Sequence, residues 1–313
     1  MGIDLTQLDS TRRLLIEADL QPVQGKRFQP TGFPDLGPAT YQAGETACLL
    51  LESAQSMANR LEATIWDEGS NRPIGDAAGI SYVAIDDEAD NYLTSSIVES
   101  HRLNSPYILE SKDKTFFDKL KNSLGVMDTG PIDRSAFAET LLTYDVNSLL
   151  HGVFLAKKEL AGGRLRLARV ISSFIEAECI QTAASGGVKN DHVDPQGDTA
   201  KGFGNVPFHR EEFTAEKITA YFSVDLQQIR AYGLGEDVTH LLTVLALYKI
   251  RALLDGDLRL RTACDLELKD DTVVARKPSG FELPSAPDLS AELQDAIGNC
   301  KHKMEVTTVT FEK

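Results

Sequence analysis

The chain has 313 residues, of which 42% are hydrophobic and 25% charged, a balance typical of a soluble protein with a sizeable core. Its net charge of −15, taken alone, argues against a nucleic-acid partner, because phosphate binding depends on clustered Lys and Arg. Net charge is a sum, however, and a narrow basic strip on a mostly acidic surface is compatible with it.

The N-terminal part of the chain predicts a strand–helix–strand unit. Residues Arg13–Leu20 read as a strand, apolar residues at helical spacing over Leu50–Ile65 predict an amphipathic helix, and Ile80–Ile85 reads as the returning strand. The intervening segment Gln21–Thr46 is rich in Gly and Pro, so we expect an irregular connection there.

The C-terminal part predicts a second such unit. Apolar and polar residues alternate over Ile218–Leu226 and again over Leu258–Leu268, which indicates two strands with one buried face each. Between them, apolar residues recur at helical spacing over Val238–Leu253. Asp237 is the expected N-cap of this helix, and Gly256 is its expected stop.

Two strand–helix–strand units in one chain predict an α+β fold with a modified ferredoxin-like, RRM-like core. Thr182–Glu216, rich in Gly, Asp and Lys, interrupts this core, and we expect a projecting, thumb-like hairpin there, with disorder as the alternative. A helix near Ser290–Cys300 and a strand at Val306–Phe311 complete the chain. We therefore predict a single domain over residues 1–313 with a thumb-like insertion at about 182–216.

Location and cofactors follow from composition. The first ten residues carry acids and no long apolar run, and the apolar stretch near Leu241–Leu247 is too short to span a bilayer, so we expect a cytoplasmic protein without membrane contact. The four cysteines lack metal-ligand spacing, and the acids near Asp191 miss the EF-hand pattern. We expect mostly buried, reduced thiols, no metal and no other cofactor.

Polar residues on the predicted N-terminal helix form the first candidate contact with RNA. Gln55, Asn59 and Arg60 lie opposite its apolar stripe, where amide and guanidinium groups one turn apart can hold successive phosphates or ribose hydroxyls. A solvated helix face is the alternative.

A loop just before Pro106 forms the second candidate contact. Arg102 would act as a phosphate fork, Asn104 and Ser105 would bind backbone or base, and His101 would stack on a base. A hydrogen-bonded turn is the alternative.

Arginine pairs on predicted strands form a third group. Two pairs of arginines each place two cations on one strand face, which suits contact with an RNA backbone. The pairs are Arg164 with Arg166, which have Arg169 close by in sequence, and Arg259 with Arg261. Cross-strand ion pairs with acids such as Asp265 are the alternative. Lys189 follows two glycines and suits a phosphate-gripping loop, although the P-loop spacing is absent.

An ordered set of short motifs runs through most of the chain. It consists of Phe28–Gly37, Glu52–Glu62, His101–Pro106, Asn147–Leu155, Gly186–Lys189, Val206–Arg210 and Leu258–Leu266. This set resembles the backbone subunit of type I-G (formerly I-U) CRISPR effector complexes, of the RAMP superfamily.

The resemblance implies an RRM-like core with a thumb, copies of which bind along one CRISPR RNA and present its spacer for pairing with target DNA. It adds Arg210 to the RNA-binding candidates. The implied partners are CRISPR RNA, target DNA through the guide, further copies of the chain, and the large, small and fused repeat-processing subunits of the type I-G complex.

No enzyme motif is present: Gly-x-Ser-x-Gly, His-Glu-x-x-His and the dinucleotide fingerprint are all absent, so we expect a non-catalytic scaffold. Because some RAMP relatives cut RNA, an endoribonuclease acting on CRISPR RNA or target RNA is the alternative, with His101, His151 or Asp145 as candidates. A third alternative is a structural module whose arginines bind neighbouring protein subunits.

Overall fold

A computed structural model describes residues 3–33, 35–125, 131–256 and 258–312 of the chain. The α-helices in these ranges are α1 (Thr6–Asp9), α2 (Ala54–Ala63), α3 (Pro106–Leu109), α4 (Thr115–Leu124), α5 (Arg134–Tyr144), α6 (Val146–His151), α7 (Leu226–Ala231), α8 (Glu236–Asp255) and α9 (Ala286–Cys300). The strands are β1 (Leu14–Pro22), β2 (Gly32–Phe33), β3 (Gly37–Ala43), β4 (Thr46–Glu52), β5 (Trp66–Asp67), β6 (Arg72–Pro73), β7 (Tyr82–Asp86), β8 (Tyr92–Ser95), β9 (Val153–Leu155), β10 (Leu165–Leu167), β11 (Ile171–Glu178), β12 (Gln181–Lys189), β13 (Val206–Thr214), β14 (Lys217–Val224), β15 (Leu258–Arg261), β16 (Cys264–Leu268), β17 (Ala275–Lys277) and β18 (Val306–Thr310).

The central sheet runs in the order β15-β16-β1-β14-β11-β4-β3-β2. Within it, four neighbouring strands, β16, β1, β14 and β11, pair antiparallel. Helix α2 lies between β1 and β11 in the chain, and helix α8 lies between β14 and β16. Two strand–helix–strand units interleaved in this order form the ferredoxin-like arrangement. The predicted α+β class with a ferredoxin-like core is therefore confirmed.

The C-terminal unit follows the prediction closely. Strand β14 and helix α8 lie where the periodicity placed them, and Gly256 is the C-cap of α8. The predicted N-cap is wrong by two residues: Gly235 caps the helix, and Asp237 lies in the first turn, where the helix dipole favours its charge. Leu258–Leu268 is two strands rather than one, because the chain turns at Ala263 (φ 64°) while the alternation continues.

The N-terminal unit differs in its returning strand. Strand β1 is confirmed, and α2 begins at Ala54 after its N-cap Ser53, because Leu50 belongs to β4. Residues 80–85 overlap β7, but β7 pairs with β8 and β18 in a separate three-stranded sheet. The core strand that returns is β11, after an insertion of residues 64–170, because an alternating pattern identifies a strand without naming its partner.

Two further connections were predicted from composition. Gln21–Thr46 is not wholly irregular, because β3 within it pairs antiparallel with β4. The predicted thumb-like hairpin is confirmed: β12 and β13 pair from Gln181 with Thr214 to Lys189 with Val206. Phe28 anchors its base, exchanging two backbone hydrogen bonds with Phe213 (2.9 and 2.8 Å). Helix α9 and strand β18 confirm the predicted C-terminal elements.

No helix in the described ranges is both long and apolar enough to cross a bilayer.

Candidate nucleic-acid interface

A groove of about 1530 Å³ opens between the first turn of α2, the loop at residues 100–104, the β9–β10 hairpin, the start of α5 and helix α7. The described residues that line it include five arginines and a single carboxylate, that of Asp225. The arginines are Arg102, Arg134, Arg164, Arg166 and Arg169. In a chain with a net charge of −15, this is a marked local concentration of positive charge.

Several predicted contacts, distant in sequence, meet at this groove. They are Gln55, His101, Arg102, Asn104, Arg164 and Arg166. The side chains of His101, Arg164 and Arg166 are exposed, and the Arg164 Nε donates to the carbonyl oxygen of Ala161 (2.9 Å). Folding therefore joins three of the predicted polar clusters into one surface.

Arg102 is the main correction among these residues, because its side chain is only 7% exposed. Its Nε and Nη2 donate to the two carboxylate oxygens of Glu62 (2.7 and 3.0 Å), and its Nη1 donates to the carbonyl oxygen of Gly152 (3.2 Å). The predicted phosphate fork does not fit a guanidinium whose donors are directed at protein acceptors. Arg102 instead joins α2 to the groove wall, and its positive φ of 51° is held by these bonds.

Ser105 is corrected for a similar reason. Its side chain is buried, and its hydroxyl donates to the Glu99 carboxylate (2.8 Å) and accepts from the backbone N–H of Tyr107 as the N-cap of α3 (3.2 Å). The alternative of a hydrogen-bonded turn is the correct one here. Asn104 lines the groove, and its Oδ1 accepts from the backbone N–H of Ala156 (2.8 Å), so its contact with RNA stays a prediction.

A buried polar network lies behind the groove. The Lys249 Nζ donates to Asn147 Oδ1 (2.5 Å) and lies 3.0 Å from His151 Nε2, and the Asn147 amide donates to the same Glu62 carboxylate that holds Arg102 (2.7 Å). Burial lowers the pKa of Lys249 to about 7. Because His151 adjoins Gly152 in the chain, the network closes into a ring that links α2, α6, α8 and the groove wall.

Two of the candidate catalytic residues belong to this buried region. The pKa of His151 lies well below its usual value because of burial and the neighbouring cations Lys249, Arg102 and Arg169, so the ring is neutral at pH 7. Burial also raises the pKa of Asp145 to about 7, and its Oδ2 accepts from the Ser148 hydroxyl (2.6 Å). Both residues are at most 1% exposed, although His151 is among the residues that line the groove.

The remaining residues of α2 are arranged differently from the prediction. Gln55 lines the groove, where its Oε1 accepts from Arg169 and its amide donates to Asn59 Oδ1 (3.3 Å). Arg60 faces the sheet edge, where its guanidinium donates to Glu52 (2.8 Å) and to the carbonyl oxygens of β15 residues 259 and 260 (3.2 and 2.7 Å). Arg60 therefore connects α2 to β15. This structural role does not fit the predicted phosphate contact.

The other predicted cations lie outside the groove. Arg261 donates to the carbonyl oxygen of Pro30 (2.6 Å), whereas Arg259 is exposed and pairs with Asp265 (3.6 Å), as the ion-pair alternative proposed. Lys189 and Arg210 are exposed on the thumb, where the Arg210 guanidinium lies over the Phe208 ring at 5.0 Å. Their contact with RNA stays a prediction.

Sequence reasoning missed other groove residues. Arg134 opens α5 directly after its N-cap Asp133, and Arg169 donates to the carbonyl oxygen of Ala54 (3.1 Å). Phe154 and Gln227 also line the groove and are exposed. Only Arg169 carried a signal in the sequence, namely its closeness to Arg164 and Arg166. The described residues contain no group of three His, Cys, Asp or Glu side chains placed to hold a metal ion.

Comparisons with known proteins give the chain a context. A chain of a solved structure titled "CRISPR RNA-guided surveillance complex, pre-nicking" is 15% identical to this one, with 93% of this chain and 89% of that chain covered and a TM-score of 0.45. No curated protein matches. The family model described as CRISPR-associated protein GSU0053 matches residues 14–182, more than half of the chain and all of its groove residues from Gln55 to Arg169. The predicted CRISPR association is thus confirmed, and the chain belongs to the CRISPR-associated protein GSU0053 family.

Proposed function

We propose that this protein is a non-catalytic, guide-RNA-binding backbone subunit of a type I-G CRISPR surveillance complex. The observation that carries the proposal is the groove, whose lining includes three exposed arginines, Arg134, Arg164 and Arg166, and one carboxylate, in a chain of net charge −15. Grooves that combine cations, amides and aromatic rings bind single-stranded RNA through its phosphates, riboses and base faces. The RRM-like core and the family membership support the same assignment.

In this role the protein holds the RNA backbone and leaves sequence reading to base pairing. The exposed guanidinium groups of Arg134, Arg164 and Arg166 bind phosphates, which carry no sequence information. Copies of the chain then line up along one CRISPR RNA, whose spacer bases pair with target DNA. Its other partners are the large, small and repeat-processing subunits of the complex.

The buried positions of His151 and Asp145 favour a scaffold over the endoribonuclease alternative. General acid–base cleavage requires a proton donor and acceptor within hydrogen-bond reach of the phosphodiester, and these two side chains are enclosed by α6, α8 and their neighbours. His101 is exposed at the groove and is the nuclease candidate to test.

The decisive experiment is co-expression with the neighbouring gene products, followed by purification and extraction of nucleic acid. We expect RNA of defined length to co-purify, and Arg164→Ala with Arg166→Ala to reduce the amount recovered. Arg72→Ala with Arg276→Ala removes the same charge from exposed sites outside the groove and should leave recovery unchanged. A complex that assembles fully without RNA would favour the protein-binding alternative. Cleavage of repeat or complementary RNA that is lost in His101→Ala would establish the nuclease instead.

A further inference from the structure

Phe154 is an exposed aromatic ring on the wall of the groove. It lies on β9 between Val153 and Leu155, which are both buried, so the alternation of the strand turns the ring outward and leaves it 51% exposed. Single exposed apolar side chains are common on protein surfaces, and exposure alone does not define a site. Phe154 differs from such residues in the side chains and hydrogen bonds that lie around it.

Arg166 lies directly opposite Phe154 in the antiparallel β9–β10 pair. Opposed residues in such a pair point to the same face, with their Cβ atoms about 5 Å apart. Both side chains are exposed and both line the groove. Unpaired nucleobases stack on aromatic rings and on planar guanidinium groups, and this pair of residues supplies one of each.

The backbone that carries Phe154 is fixed on both sides. Two residues before it, the carbonyl oxygen of Gly152 accepts from Arg102; two residues after it, the N–H of Ala156 donates to Asn104 Oδ1. Arg102 is in turn held by Glu62 in the buried network. The ring is therefore presented on a rigid segment, which lowers the entropic cost of binding a ligand against it.

We propose that Phe154, together with Arg166, forms a stacking position for one unpaired nucleobase of the bound RNA. This inference rests on the proposed function and deepens it, since it adds a base contact to a groove otherwise assigned to phosphates. Stacking uses the π-face that all bases share, so the position tolerates any sequence and suits a protein that must accept many guides.

The test measures binding of the full-length chain to two short single-stranded oligomers, an RNA and a ribose-phosphate strand of the same length without bases. Phe154→Ala should weaken binding of the RNA by about 5- to 150-fold, the range expected for one stacked base, and leave the abasic strand unaffected. Phe154→Leu keeps an apolar side chain but lacks the ring and should behave like Phe154→Ala, whereas Phe154→Trp should retain affinity. Tyr41→Ala, at an exposed aromatic residue on β3 outside the groove, is the matched control and should leave the affinity for both oligomers unchanged.

The outcomes separate the two proposals. Equal effects of Phe154→Ala on both oligomers, or full affinity in Phe154→Leu, would overturn the stacking position while leaving RNA binding by the groove intact. Failure of the wild-type chain to bind the RNA oligomer at all would overturn both. A loss confined to the base-bearing strand and restored in Phe154→Trp would establish the stacking position.

Discussion

Salt dependence gives a quantitative test of the groove, because each phosphate contact contributes to it in a known way. For single-stranded nucleic acids, the slope of log K against log salt is about −0.7 for each phosphate neutralised. The groove has three exposed arginines, Arg134, Arg164 and Arg166, whereas Arg102 is buried and Arg169 is half-buried and hydrogen-bonded to α2. Three contacts predict a slope of about −2.

Changing both Arg164 and Arg166 to Ala should reduce this slope to about −0.7. Between 50 and 200 mM salt, wild-type affinity should then fall about 20-fold, and that of the double variant about 3-fold. Fluorescence anisotropy with a short labelled RNA, titrated at several salt concentrations, measures both slopes. Stability in thermal unfolding should fall by only about 0.5–1.5 kcal/mol, because both side chains are exposed and Arg164→Ala removes the hydrogen bond to the carbonyl oxygen of Ala161.

The matched control is Arg72→Ala with Arg276→Ala, which removes two exposed cations from β6 and β17. It should lower affinity slightly through long-range charge and keep the wild-type slope. Parallel salt lines for wild type and the groove variant would refute the assignment of phosphate contacts to β10. A reduced slope in the control would show that RNA binds elsewhere on the surface.

Three further outcomes follow from the buried network. Glu62→Gln should lower the free energy of unfolding by about 3–5 kcal/mol in a denaturant titration, because it leaves the buried Arg102 charge uncompensated, whereas exposed Glu68→Gln should have little effect. The folded state raises the pKa of Asp145 to about 7, so its contribution to stability should fall as pH rises from 3.8 to about 7. The folded state lowers the pKa of Lys249 to about 7, so its contribution should rise between about pH 7 and 10.5. Unfolding curves measured across pH should show that Asp145→Asn removes the first contribution and Lys249→Met the second. Gly152→Ala should destabilise the protein by about 1–3 kcal/mol or more in thermal unfolding. Gly152 has a φ of 78°, and a Cβ there would lie 2.7 Å from the carbonyl oxygen of Leu167. A variant as stable as wild type would contradict this packing.

The sequence pattern correctly located helices and strands whose positions depend on residues close together in the chain. The alternation in β14 and the helical spacing in α8 located both elements, because a buried face imposes its period directly on the sequence. The pairing of β11 with β14 was missed because the insertion of residues 64–170 separates β11 from α2 in the chain. In addition, the alternation of residues within a strand does not indicate which strand it pairs with. For the same reason β7, an equally regular strand, was placed in the wrong sheet.

The same distinction between residues near and far in sequence applies to the candidate site. Arg164 and Arg166 were predicted because they stand two residues apart on a predicted strand. The structure places both at the groove, Arg166 on β10 and Arg164 directly before it. Arg102 was assigned the wrong role because its partner Glu62 lies 40 residues earlier, and only the fold brings the carboxylate within 2.7 Å. Phe154 and Arg134 carry no local signal, since their value depends on the β9–β10 register and on the position of α5.

The acidic net charge and the basic groove act on RNA over different distances. At physiological salt the Debye length is about 8 Å, so an approaching RNA first meets the average field of a chain with charge −15, which repels it. In the proposed function, contact with Arg134, Arg164 and Arg166 within the groove outweighs that repulsion. Non-specific binding to the rest of the surface is thereby suppressed, and added salt has opposing effects: it screens the repulsion that slows encounter and weakens the contacts that hold the bound RNA. Added salt should therefore raise the association rate and raise the dissociation rate more strongly, whereas a protein that is basic throughout associates more slowly as salt is added.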